Sequence, residues 1–133
     1  MKKLLLLTLI LATLLPGVAA VRSESIELLT VAETNESNQI GGTATMNLQI
    51  SPGSGDVFID SFPLTQLDTQ ISTRFAKEVA CEHTSRDCDE VNFYYTIRAS
   101  SSVVGGPSAG AAAAVLTSAL LQNQTLSDDA IIT

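Results

Sequence analysis

Residues 105–122 read GGPSAGAAAAVLTSALLQ, and this stretch decides how the rest of the chain is organised. Gly105, Gly106 and Pro107 are breakers, so a loop of small residues from Ser100 ends here in a turn. From Ala109 to about Gln122 the chain is rich in alanine, the strongest helix former. Ser108 therefore stands where a loop enters a helix. Ala111 to Ala114 have no volume to fill a core, and a helix built this way lets a neighbouring backbone approach closely. A serine at such a place commonly acts as an N-cap. The position also suits a nucleophile. First-turn amides lack intrahelical acceptors and can hold an oxyanion, and the helix dipole favours developing negative charge. Glycines and Ala109 leave space for a substrate backbone.

Upstream of the loop, Val91, Phe93, Tyr95, Ile97 and Ala99 alternate with Asn92, Tyr94, Thr96 and Arg98, a period of two that predicts a strand. Before it, Leu64, Leu67, Ile71, Phe75 and Val79 recur every three or four residues, as one stripe of a helix does. That stripe is expected to pack into the core, with Arg74, Lys77 and Glu78 towards solvent and Thr65 or Asp68 capping the start. Ala44, Met46, Leu48 and Ile50 alternate as a further strand. Ser51 to Asp56 is turn chemistry and Val57 to Asp60 returns, so these two strands are expected to pair as a hairpin with a long loop. Ser25 to Ala32 reads as a first strand, Glu33 to Gln39 as a polar loop, and Ala130-Ile131-Ile132 as the start of a last strand. Antiparallel strands mixed with two helices make an α+β fold.

The amino terminus has a different logic. Met1-Lys2-Lys3 is basic, Leu4 to Leu15 is almost wholly apolar, Pro16-Gly17 breaks the helix, and Val18-Ala19-Ala20 offers small residues for cleavage. That is the layout of a secretory signal peptide. The apolar run is shorter than the roughly 20 residues of a spanning helix, leaving an uncleaved signal anchor as the alternative. Export, to the extracytoplasmic side, is the expectation. Cleavage after Ala20 removes two lysines and leaves the chain still more acidic than its formal charge of −7. This balance argues against nucleic-acid binding and against docking to anionic lipid, since both need a positive footprint. The expected units are a signal at 1–20, an amino-terminal strand and polar loop at 21–41, and a main domain from 42 to 133.

Cys81 and Cys88 are the only cysteines, and they flank Glu-His-Thr-Ser-Arg-Asp. In an exported protein a disulfide closing this loop is the natural reading, with two free buried thiols as the alternative. A metal site through His83 is disfavoured, because zinc wants four ligands at tighter paired spacing. No cofactor motif is evident. Asn35-Glu36-Ser37 and Asn123-Gln124-Thr125 match the glycosylation sequon, a weak pattern.

The run GGPSAG followed by an alanine-rich helix resembles the nucleophile motif of the Lon family of serine peptidases, with Ser108 on the catalytic serine. Gly106, Pro107, Ala109 and Gly110 complete the motif. The resemblance continues to Thr133, which falls on the threonine of a Thr-Gly-Glu segment beside the Lon active site. Gly55-Asp56-Val57-Phe58-Ile59 and Ser72-Thr73-Arg74-Phe75-Ala76 are similar to the start of the same domain. The similarity covers roughly Gly42 to Thr133 and is greatest to the exported, ATPase-free archaeal branch. It implies a Lon proteolytic-domain-like fold, related to that of GHMP kinases and cut short after the helix that follows the serine. It also implies a Ser-Lys dyad, polypeptide substrates and a homo-oligomeric ring. The lysine of the dyad would follow Thr133, and Lys2, Lys3 and Lys77 do not match it. Peptidase activity is therefore expected of a longer parent and not of these 133 residues. Gly105 departs from the family, where many members carry an acid three residues before the serine.

Gly106 to Gly110 also fit G-x-S-x-G, the nucleophile elbow of α/β-hydrolases, but no histidine follows Ser108 and the βα units are missing. A Gly-rich loop before a helix can cradle phosphate, as in GHMP kinases. An export signal and the lack of a lysine after the loop oppose that reading. The remaining alternative is a non-catalytic exported binding or assembly module.

Overall fold

The computed structural model describes residues 21–33, 39–100, 106–127 and 129–132. The signal segment, the centre of the polar loop, Gly105, Asp128 and Thr133 lie outside the described residues. Long alternation makes long strands. β1 (Arg22–Glu33) pairs antiparallel with β2 (Gln39–Pro52) along its whole length, from Arg22 opposite Ile50 to Glu33 opposite Gln39. β1 is thus part of the main sheet, with Ile26 and Leu28 in its core. β3 (Val57–Phe62), β4 (Val91–Ala99) and β5 (Ile131–Ile132) complete a five-stranded sheet in the order β3-β4-β2-β1-β5.

This order corrects the hairpin reading. β2 and β3 follow one another in sequence, but β4 lies between them, antiparallel to β2 and parallel to β3. A parallel pair needs a crossover, which α1 (Leu67–Thr84) supplies between β3 and β4. Asn92 holds the turn that crosses the end of β4: its Oδ1 accepts from the amides of Ser54 (2.8 Å) and Asp56 (3.1 Å). The sheet is also not wholly antiparallel, because β5 joins β1 in parallel. The α+β class stands as a mixed sheet with two helices.

The second correction concerns α1. Leu67, Ile71, Phe75 and Val79 do form one stripe, with Leu64 lying before the helix begins, but all five are 46 to 79% exposed. The buried side carries Thr69, Thr73, Ala76, Lys77, Ala80 and Cys81. Small residues let the helix lie close to the sheet and to α2 (Ala109–Leu121). The threonine hydroxyls do not go unpaired there: Thr73 Oγ1 donates to the Thr69 carbonyl (2.7 Å) and Thr69 Oγ1 to that of Gly106 (3.3 Å). Lys77, expected in solvent, is 7% exposed. Its stem runs under the helix and its ammonium lies 5.9 Å from the Phe93 ring centroid and 3.0 Å from Glu78 Oε1. Neither Thr65 nor Asp68 is the N-cap, a place taken by Gln66 without a side-chain bond.

The core lies between the helices and one face of the sheet, built on Met46, Leu48, Phe93, Ile97 and Leu116, all fully buried. Phe58 and Tyr94 stack on the other face with ring centroids 4.9 Å apart. Cys81 and Cys88 are joined by a disulfide, which ties the last turn of α1 to the segment entering β4. Among the described residues no helix is long and apolar enough to cross a membrane.

Candidate active site

The turn before α2 is fixed from below by the start of α1. Gly106 adopts φ +103°, a left-handed backbone that glycine alone takes without strain. Its amide donates to Asp68 Oδ2 (3.1 Å) and its carbonyl accepts from Thr69 Oγ1, so adjacent residues of α1 grip both polar groups of one glycine. Asp68 Oδ1 meanwhile accepts from the Thr69 amide (2.7 Å), which fixes the carboxylate itself. Farther along, Gly110 touches α1: an added Cβ would fall 2.9 Å from Ser72 Cβ. Gly106 and Gly110 are thus where the turn and α2 meet α1.

Ser108 sits on this turn, exposed, with φ −59° and ψ −33°. Its hydroxyl makes no capping bond. Ser108 thus holds the N-cap position without the capping interaction: its backbone is already helical, whereas a capping serine is extended. The first turn closes through Gly110 N–H to the Pro107 carbonyl (2.9 Å) and Ala111 N–H to the Ser108 carbonyl (3.2 Å). The amides of Ser108 and Ala109 have no acceptor among the described residues. A hydroxyl and two amides that have no partner among the described residues, at the positive end of a helix, make an arrangement that can stabilise an oxyanion.

No proton acceptor of the expected kind accompanies it among the described residues. Lys77 is on α1 eight residues beyond Thr69, or about 12 Å along the axis from the residue that touches the turn, and it is engaged with Phe93 and Glu78. His83 is farther along the same helix. No group of three or more His, Cys, Asp or Glu among the described residues is arranged to hold a metal ion.

No protein-family model and no curated protein matches this chain. The site accordingly rests on its geometry and on the resemblance of the motif.

Gly106, Pro107, Ser108, Ala109 and Gly110 come together because they are contiguous. Cys81 and Cys88 lie near the other end of α1, away from the turn, and Thr133 lies outside the described residues. Asp68, Thr69 and Ser72 are the positions that sequence reasoning missed. Thr69 carried a signal, lying with Thr73 on the face opposite the apolar stripe, whereas Asp68 and Ser72 border that stripe and line the groove beside it. A helix face with Thr69 and Thr73 in line invites a buried reading once the apolar face is given another role. Beside the turn, a groove of about 570 Å³ runs between the helices, walled by Ile71, Phe75 and Val79 on one side and by Pro107, Ala111 and Ala114 on the other.

Proposed function

We propose that this chain carries the nucleophile half of a Lon-type serine endopeptidase. The observation that carries the proposal is the Ser108 hydroxyl, which makes no capping bond and is flanked by amides without an acceptor among the described residues, on a turn braced by Asp68 and Thr69. In the proposed step Ser108 Oγ attacks the peptide carbonyl, the amides of Ser108 and Ala109 receive the oxyanion, and a lysine takes the hydroxyl proton. That lysine must be neutral at working pH, which needs burial or nearby positive charge to lower its pKa. Lys77, the one lysine among the described residues, is not placed for this, and in this scheme a residue after Thr133 would complete the dyad. Hydrolysis in this scheme is ATP-independent and takes place outside the cytoplasm, after export.

The test compares casein hydrolysis and fluorophosphonate labelling by the chain and by a longer gene product that includes the lysine. The longer product is expected to label at Ser108 and to lose both signals in Ser108→Ala, while the chain alone does neither. Casein cleavage by the chain itself, abolished by Ser108→Ala, would refute the missing-lysine scheme. A longer product that neither labels nor cleaves would refute the peptidase reading. A non-catalytic assembly module is then the second reading, favoured by the exposed apolar face of α1.

A further inference from the structure

Two Asn-x-Ser/Thr triplets occur in the chain, and the chemistry at Ser108 uses neither. Asn35-Glu36-Ser37 lies outside the described residues. Asn123-Gln124-Thr125 follows α2 directly, and all three of its side chains are exposed. The triplet alone is a weak pattern, so what matters is how the fold employs these residues. α2 ends in a Schellman motif. Gln124 N–H donates to the Ala119 carbonyl (2.8 Å) and Asn123 N–H to that of Leu120 (3.2 Å), with Asn123 left-handed at φ +59°. Glycine is the usual residue at that place and asparagine the next. The turn therefore accounts for the asparagine. Its last bond is made by Gln124, so it makes no demand on Thr125. A hydroxyl two residues after an exposed asparagine is what an asparagine-glycosylating transferase recognises.

The carboxamide is also turned the right way. Arg22 Nη1 lies 3.0 Å from the Leu120 carbonyl and 3.5 Å from Asn123 Oδ1. A guanidinium has donors only, so the amide oxygen is the atom that faces it, and Nδ2 lies on the other side of the carboxamide. Glycosylation uses Nδ2 and leaves Oδ1 as it was. The contact to Arg22, and the helix end that Arg22 caps, thus survive the modification. Leu126 packs against the core and fixes the segment just beyond the triplet. Asn123 stands at the opposite end of α2 from Ser108, about 20 Å away along the helix axis, so a bulky sugar there leaves the nucleophile open.

We propose that Asn123 is a site of N-linked glycosylation, taking an oligosaccharide from a lipid-linked phosphate donor on the extracytoplasmic side. This rests on the export proposed above, because the triplet is an acceptor only in a secreted chain. It does not depend on whether Ser108 is catalytic. In the transfer, Asn123 Nδ2 forms a bond to the anomeric carbon of the sugar. The bond from that carbon to the phosphate oxygen breaks, and the lipid phosphate leaves with the electron pair. One Nδ2 proton passes to a base of the transferase. The product is a large hydrated group on an exposed turn, which a surface position accommodates without disturbing the core.

Mass spectrometry of the full chain, collected from the medium and the cell fractions of the organism that makes it, is the test. Asn123 is the one asparagine between Arg98 and Thr133, and no lysine or arginine follows Arg98, so a single tryptic peptide carries the answer. In the exported chain that peptide is expected to carry the added mass of an oligosaccharide. Asn123→Gly and Thr125→Ala are expected to lose the added mass completely, and Thr125→Ser to keep it. Glycine suits the left-handed position, so Asn123→Gly should melt at the same temperature as the unglycosylated chain or above it. An exported chain whose peptide is bare overturns the modification and leaves export standing. A chain found only in the cytoplasm refutes export, and the modification with it. An added mass that survives Asn123→Gly or Thr125→Ala shows that the triplet is not what is recognised, and overturns the assignment. If Asn123→Gly fails to fold, Thr125→Ala, at an exposed position outside the turn, decides alone.

Discussion

Tyr95 and Thr117 join β4 to α2 through the core, and their pairing gives a stability change of known sign. Tyr95 is 1% exposed and its hydroxyl lies 2.5 Å from Thr117 Oγ1. Thr117 has one hydroxyl proton, and it goes to the Ala113 carbonyl at 2.6 Å. Tyr95 must therefore be the donor and Thr117 the acceptor. Burial pushes the Tyr95 phenol from 10.0 up to about 12. Below pH 10 the phenol is neutral in both states and costs nothing. Between pH 10 and 12 the unfolded chain gives up the proton while the folded protein keeps it, so stability falls as pH rises. The loss is about 1.4 kcal/mol by pH 11 and about 3 kcal/mol once pH passes 12, at 1.36 kcal/mol per unit. Urea unfolding followed by circular dichroism at half-unit steps from pH 9 to 12 measures it. Tyr95→Phe is expected to cost about 1 kcal/mol at pH 8, because Thr117 still has its backbone partner, and to remove this alkaline loss. Thr117→Val is expected to cost more, about 2–3 kcal/mol, because it leaves a buried phenol donor with no acceptor. If Tyr95→Phe shows the same fall between pH 10 and 12 as the natural protein, burial of this phenol is not its cause.

Two further outcomes test the helix contacts and the cross-link. Gly110→Ala would raise stability by about 1 kcal/mol in an unobstructed helix, but here the new Cβ meets Ser72 Cβ at 2.9 Å, so thermal melting should show destabilisation. Ser72→Gly in the same molecule is expected to recover much of it, whereas Ser72→Ala, which keeps the Cβ, is not. Replacing both Cys81 and Cys88 by alanine opens a short loop and is expected to lower the unfolding free energy by about 2.5 kcal/mol on the chain-entropy account. The same loss should follow reduction of the natural protein, read from the urea midpoint with and without dithiothreitol.

Much of the candidate site was legible because its parts are contiguous. Breakers at Gly106 and Pro107, then Ser108, then helix formers, are enough to put a hydroxyl at a helix entrance. Whether that hydroxyl caps the helix depends on the backbone angles at Ser108, which the letters do not carry. The brace from Asp68 and Thr69 was not legible, because it spans 38 and 37 residues and joins two elements whose relative placement no local pattern encodes. Lys77 was misplaced for a related reason. A lysine has a long apolar stem, and its type alone does not say whether the head reaches solvent or lies over a ring such as Phe93.

Alternation, helical spacing and alanine content determined from the sequence alone that β2 and β4 are strands and that α1 and α2 are helices, and alternation and spacing showed which residues share a face in β2, β4 and α1. Periodicity is a property of one segment, set by the geometry of its own backbone. It cannot say which neighbour that face will meet. Tertiary structure decided the rest: that β4 inserts between β2 and β3, that the small and polar side of α1 is the buried one, and that its large apolar residues remain outside. The reason is close packing. With α2 reduced to alanine and glycine where the helices touch, only small side chains of α1 fit against it and against the sheet, and the bulky stripe is turned outward.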